Sequence, residues 1–198
     1  IMQYNISPET ISKDKFPDVS VNKLLKQKED IPDDGFTVTP NGARFTKEFQ
    51  GFLPGLMDKF YEDRVKFKKL TLEAKQKYED TKEPKYLKDI SKFNNIQMAR
   101  KIALNSAYGA MGNQYFRYYD ERVAIAITTS GQLSIRWIEG KVNEYLNKIL
   151  ETEDEDYIIA SDTDSIYVSF DELVRKSFTG RSVSTEKIVS FLDSVAKK

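Results

Sequence analysis

The chain has 198 residues, with 31 Lys+Arg balanced by 31 Asp+Glu, and it contains neither cysteine nor histidine. That length allows one or two domains with a real core. The missing residue types exclude disulfides, thiol nucleophiles, Cys/His zinc sites and Ser-His-Asp triads, so any catalysis must rest on carboxylates, Lys, Arg, Tyr and metal ions.

The zero net charge is unevenly spread. Residues 61–101 hold 12 Lys+Arg against 7 Asp+Glu, and residues 151–198 hold 6 against 11. One segment can attract phosphates and the other cations, although charge runs are usually solvated faces. No apolar run reaches membrane-spanning length, so no membrane partner is expected. The chain opens on Ile1 and not on Met, which reads either as a start from which something has been removed or as a piece of a longer protein.

Residues 1–18 read as irregular, with Pro8 and Pro17 as breakers. A short helix is predicted within 19–30, N-capped by Ser20. Phe36, Val38 and Phe45 flank Pro40-Asn41-Gly42, which predicts a β-hairpin over 36–49 with both Asn41 and Gly42 at positive φ. Residues 52–80 read as a long helix with Pro54 in its first turn and Leu56, Phe60, Phe67, Leu70 and Ala74 as its apolar stripe. A turn at 81–87 contains Pro84. A second helix over 87–113 ends near Gly109 and Gly112 and should lie antiparallel to the first. Residues 120–150 read as a third long helix, with Leu133, Trp137, Val142, Leu146 and Ile149 buried. "YIIAS" and "SIYVSF" alternate as strands around Asp162-Thr163-Asp164, and a last helix begins at Ser184.

Two stretches carry chemistry. Asp162 and Asp164 interrupt an apolar, β-favouring run, and carboxylates rarely enter such a run unless they are paired or hold a metal. An EF-hand is excluded, because the fifth and sixth loop positions counted from Asp162 are Ile166 and Tyr167. The choice left is an ordinary acidic turn or a hairpin tip that binds magnesium. In "RKIALNSAYGAMGN" (100–113), Lys101, Asn105 and Tyr108 stand at i, i+4 and i+7 on one helix face, followed by Gly109. A cation, an amide and a ring suit a nucleotide; the plain alternative is a surface lysine and a core tyrosine. Arg64 and Lys68, at i and i+4 on the partner helix, can hold phosphate oxygens or merely form a solvated basic stripe.

Together these pieces resemble a known family. "KIALNSAYG" is similar to motif B of family B DNA polymerases and "DTDSIY" to their motif C. "YNISPETI", "FRYYDERVAIAITTSGQ" and "WIEGKVNEYLN" resemble the replicative polymerases of T-even-type bacteriophages. The resemblance covers nearly the whole chain and keeps the order and spacing of the motifs. Ser161 departs from it, standing where the family usually has Gly, and the turn at 81–87 is short for the phage group.

The resemblance implies an α+β fold: a partial polymerase palm sheet with an antiparallel two-helix fingers subdomain. Residues 1–51 would be the palm segment following motif A, 52–113 the fingers hairpin ending in motif B, and 114–198 the palm with its long helix, motif C hairpin and C-terminal helix. Asp164 would be a metal-binding carboxylate with Asp162 as its companion. Arg64 and Lys101 would grip the incoming triphosphate and Lys68 would add a second basic contact. Asn105, Tyr108 and Gly109 would lie near the nascent base pair. Two Mg²⁺ ions are implied as cofactors. The implied partners are primer-template DNA, deoxynucleoside triphosphates and the remaining polymerase segments: the motif A palm, the exonuclease and the thumb. The motif A aspartate would lie about nine residues before Ile1, so two-metal chemistry by these residues alone is not expected. The setting implied is the cytoplasm of an infected bacterial host. Two other readings stand beside this one: an inactive nucleic-acid-binding module that keeps the fold, and a metal-dependent phosphohydrolase.

Overall fold

The computed structural model describes residues 1–26, 30–179 and 183–196. Strand β1 (Ile11–Lys15) is followed by helix α1 (Val21–Leu25), β2 (Phe36–Val38), β3 (Ala43–Thr46), α2 (Phe52–Thr81), α3 (Lys85–Met111), α4 (Glu121–Leu150), β4 (Ile158–Asp162), β5 (Ser165–Val168), α5 (Asp171–Ser177) and α6 (Thr185–Ala196). The fold is α+β, with a three-stranded antiparallel sheet in the order β1-β3-β2 and a two-stranded hairpin, β4-β5. The chain divides into two compact units, Ile1–Ser130 and Gly131–Lys198.

In the first unit, β1 is a strand where an irregular segment was expected. Its sequence, Ile-Ser-Lys-Asp-Lys, has no clear apolar alternation, and it is held by pairing with β3. Pro8 and Pro17 bound it without breaking it. The hairpin β2–β3 forms, but its turn differs from the expected one. Gly42 is left-handed, with φ 81°, while Asn41 is not. Pro40 has no N–H to pair across a hairpin closed at Asn41-Gly42, and its φ of about −65° suits the first central position of a turn instead. The turn therefore centres on Pro40-Asn41 and closes through Gly42 N–H to the Thr39 carbonyl at 2.8 Å. Gly42 takes the bulge position, where a Cβ would lie 2.6 Å from the Phe16 carbonyl oxygen. Ser20 caps α1, accepting from Lys23 N–H.

The core of this unit gathers Ile6, Ala43, Phe45, Leu53, Met57, Met111, Val123 and Ala126, with Leu56, Phe60, Leu104 and Ala107 partly buried against it. Only one end of the α2–α3 pair is set in that core: the start of α2 and the end of α3. Farther out, the buried positions of α2 are Thr71 and Ala74, and the helices meet through rings such as Phe67 and Phe93, 6.1 Å apart. The link between them is three residues, with Lys82 left-handed at the C-cap and Pro84 preceding α3.

In the second unit Leu146, Leu150, Tyr157 and Leu173 form the core, with Val142, Val168, Phe170, Phe191 and Val195 packed on it. The expected stripe of α4 is corrected in two places. Trp137 is 52% and Ile149 45% exposed, while Leu150 is buried. Leu146 and Leu150, four residues apart, centre the buried face, and Ile149, about 100° around the helix from Leu150, lies at its edge. Helix α5 was not predicted; its seven residues are too few for the apolar period to register. Ser184 starts α6, its carbonyl accepting from Lys187 and Ile188 N–H.

Candidate active site

The α2–α3 pair carries five of the predicted residues. Arg100 Nε donates to Asp63 Oδ2 at 3.0 Å across the helices, and the Arg100 guanidinium lies 5.0 Å from the centre of the Phe60 ring. Arg64 and Lys101 each follow one member of that ion pair. A step of one residue turns about 100° around a helix. In an antiparallel pair the two steps turn toward the same side, so Arg64 and Lys101 share one face of the pair. Lys68, one turn beyond Arg64, and Asn105 and Tyr108, one and two turns beyond Lys101, continue that face. Because the helices run in opposite directions, Asn105 and Tyr108 lie toward the core end and Lys68 toward the outer end.

Lys68, Lys101, Asn105 and Tyr108 are exposed, and Arg64 is half-buried. Arg64, Lys68 and Lys101 have no ion-pair partner among the described residues. Arg64 Nε is buried without a hydrogen-bond partner there. Three free cations on one face form a phosphate-attracting surface, since charge-assisted bonds to phosphate are among the stronger hydrogen bonds. Gly109 leaves open space next to Tyr108, for a Cβ on it would meet nothing within 4 Å.

The predicted carboxylates sit at the tip of the β4–β5 hairpin, in the second unit. Asp162 pairs with Ser165, and Thr163 and Asp164 form the turn. Asp164 N–H donates back to the Asp162 carbonyl at 2.6 Å. Thr163 has φ 52°, a rare conformation for a β-branched residue. Asp162 Oδ1 accepts from Thr163 Oγ1 at 3.0 Å. The Asp164 carboxylate is exposed and accepts no hydrogen bond from a described residue. Both side chains offer hard oxygen donors, the type that magnesium takes. No group of three or more Asp, Glu, His or Cys that could hold a metal exists among the described residues. Ser161 is exposed and paired with Ile166, so its side chain is accommodated within the strand.

Sequence reasoning missed the Asp63–Arg100 pair. Its signal was present, as an acid and a base immediately preceding Arg64 and Lys101 on helices expected to be neighbours. It also missed the polar loop that holds the start of α2, described below.

The profile of DNA polymerase family B matches residues 1–190, and the chain belongs to that family. It is similar to the DNA-directed DNA polymerase of Enterobacteria phage T4 (33% identical) and to that of Escherichia phage RB69 (34% identical). Each alignment takes in 100% of this chain and 26% of the relative. The chain thus spans about a quarter of the length of these relatives. The alignments run over 239 positions against 198 residues here, so the relatives hold additional residues inside the matched span. Among solved structures, the family B DNA polymerase of Pyrobaculum calidifontis is a looser likeness, with a TM-score of 0.49 and 22% identity over 99% of this chain and 30% of that one. Among the described residues no helix is long and apolar enough to cross a membrane.

Proposed function

We propose that this chain carries part of the catalytic centre of a template-directed DNA polymerase of viral DNA replication, acting in the cytoplasm of the infected bacterium. Residues 52–113 serve as the fingers; 1–51 and 114–198 belong to the palm. The observation that carries the reading is the face of α2–α3 on which Arg64, Lys68 and Lys101, without acidic partners among the described residues, stand with Asn105 and Tyr108. Family membership adds to it.

In this reading the primer 3′-oxygen bonds to the α-phosphorus of a deoxynucleoside triphosphate, the bond to the β-phosphate bridge breaks, and pyrophosphate leaves. Arg64 and Lys101 bind the triphosphate and neutralise charge that grows on the leaving phosphates. Lys68 adds a point charge at the outer end. Asn105 and Tyr108, nearer the core, flank the nascent base pair, and the open surface at Gly109 admits it. Asp164, with Asp162 beside it, would hold Mg²⁺ together with a further carboxylate supplied by the motif A segment; two such ions would lower the pKa of the 3′-hydroxyl and offset phosphate charge. The 198 residues by themselves are not expected to extend a primer, because the two hairpin-tip carboxylates are only part of a two-metal ligand set.

The test is primer extension on a defined primer-template, by the intact protein carrying this chain and by the 198 residues alone. Templated extension by the intact protein only is expected. Extension by the 198 residues alone would overturn the claim about the isolated chain. Phosphoester hydrolysis without extension would favour the phosphohydrolase reading, and DNA binding with neither activity the inactive module.

A further inference from the structure

Helix α2 starts without a cap of its own. Its N-cap residue is Gly51, which makes no side-chain cap bond, and its first turn contains no acidic residue. Such a start leaves several N–H groups to be satisfied from elsewhere. Three consecutive ones are taken by three side chains of the opening loop. Gly51 N–H donates to Asn5 Oδ1 at 2.8 Å, Phe52 N–H donates to the Glu9 carboxylate, and Leu53 N–H donates to Ser7 Oγ at 3.2 Å. The three acceptors are tied to one another and to the strand before the helix. Ser7 Oγ donates to the Glu9 carboxylate at 2.7 Å, and Asn5 Nδ2 donates to the carbonyls of Thr46 and Phe49 at 2.7 and 2.8 Å. Ser7 and Thr10 are buried, and Thr10 Oγ1 donates to the carbonyls of Asn5 and Ser7. The fit is close: a Cβ on Gly51 would lie 2.7 Å from Ser7 Cβ. Asn5 itself has φ 54°, a conformation that Asn tolerates better than most residues.

We infer that Asn5, Ser7 and Glu9 are positioning residues that fix the base of the α2–α3 pair, and through it the placement of Arg64 and Lys101 on the incoming nucleotide. This rests on the polymerase reading proposed above. A helix held at one end by three bonds from a separate segment swings about that end, and Arg64 stands more than three turns farther out. A small loss of angle at the base becomes a displacement of the cations, and misplacement by about 1 Å can cost about a hundredfold in rate. Burial works against ionisation of Glu9, but its bonds from Ser7 and Phe52 outweigh it and hold the carboxyl below its ordinary range. It therefore stays charged at neutral pH, where an anion at a helix N-terminus is stabilising.

Asn5→Gly keeps the left-handed backbone and removes all three side-chain bonds; Glu9→Gln keeps an acceptor and removes the charge. In the intact polymerase, both should raise the KM for the correct nucleotide about threefold to tenfold, Asn5→Gly more than Glu9→Gln, with primer-template affinity unchanged. Amide hydrogen exchange should be faster at Gly51, Phe52 and Leu53 in both variants. Normal nucleotide KM in both variants, at a temperature where they are folded, would overturn the inference even if their Tm fell. If the unaltered protein incorporates no nucleotide, the polymerase reading has failed instead. Amide exchange then decides the clamp alone, and unchanged exchange at residues 51–53 would refute that too.

Discussion

The α2–α3 pair presents its cations from regular helix, at spacings the backbone repeats, whereas the β4–β5 hairpin presents its carboxylates from a turn whose Thr163 sits at φ 52°. Both regions leave charge unpaired among the described residues, but they depend on it differently. On the helices several cations stand on one face, and the position of each is fixed by regular hydrogen-bonded backbone on both sides of it. At the hairpin tip two side chains one residue apart are set by one turn residue. A surface of shared charges should lose function by steps; a ligand pair at a turn should lose it at once.

The sharpest test of that contrast is Asp164→Asn in the intact protein. It removes a carboxylate that accepts no hydrogen bond from a described residue, and turnover should fall about a thousandfold or more, since metal-assisted charge stabilisation contributes several kcal/mol. Primer-template affinity should stay near that of the unaltered protein. Steady-state extension rates and a DNA-binding titration read the two quantities separately, and ordinary turnover in the variant would sink the metal assignment.

Smaller effects are expected on the helical face. Lys101→Ala and Arg64→Ala should each weaken nucleotide use by about 1.5–3 kcal/mol, the range for a charge-assisted contact. Lys68→Ala should cost less, lying at the outer end. Single-nucleotide incorporation at varied nucleotide concentration gives the KM. If DNA affinity fell while nucleotide KM held, these residues would belong to DNA binding and the face would be misread.

How much of this could be read in the sequence follows the same divide. The first long helix was legible because Leu56, Phe60, Phe67, Leu70 and Ala74 recur at three- and four-residue steps, and Lys101, Asn105 and Tyr108 could be placed on one face of the second from spacing alone. The hairpin at Asp162–Ser165 was legible from alternation on both sides of it. The conformation of Thr163 was not, because no β-branched residue announces a positive φ. Pro40 hid the turn type at Asn41-Gly42 by overriding the strongest local signal there. Strand β1 was missed because its pairing with β3, and not its own composition, makes it a strand. The Asn5, Ser7 and Glu9 bonds span more than 40 residues and leave no period. What the sequence did offer was indirect: a helix opening on Gly-Phe-Leu-Pro, with no capping side chain and no acid in its first turn.

The smallest effect concerns Thr163 itself. A left-handed conformation costs an L-residue roughly 1–2 kcal/mol, and a β-branched side chain is among the least suited to it. Glycine adopts the same φ freely but loses roughly 0.5–1 kcal/mol through the greater freedom of its unfolded chain. The Thr163 Oγ1 bond to Asp162 is exposed, so its loss should subtract little. Thr163→Gly should therefore stabilise the fold by about 0.5–1 kcal/mol, seen as a modest rise in Tm. Turnover of the intact protein in primer extension should nevertheless fall severalfold. The turn would lose the conformational restriction that holds Asp162 and Asp164 in place, and Asp162 would lose its hydroxyl donor. Stability up with turnover down is the signature of strain kept for function. A fall in Tm would show that the turn is not strained, and a rise in Tm with full turnover would show that its geometry is indifferent to the chemistry. Lys101→Ala supplies the contrast: an exposed helical position with no ion-pair partner among the described residues should leave Tm nearly unchanged while nucleotide KM rises.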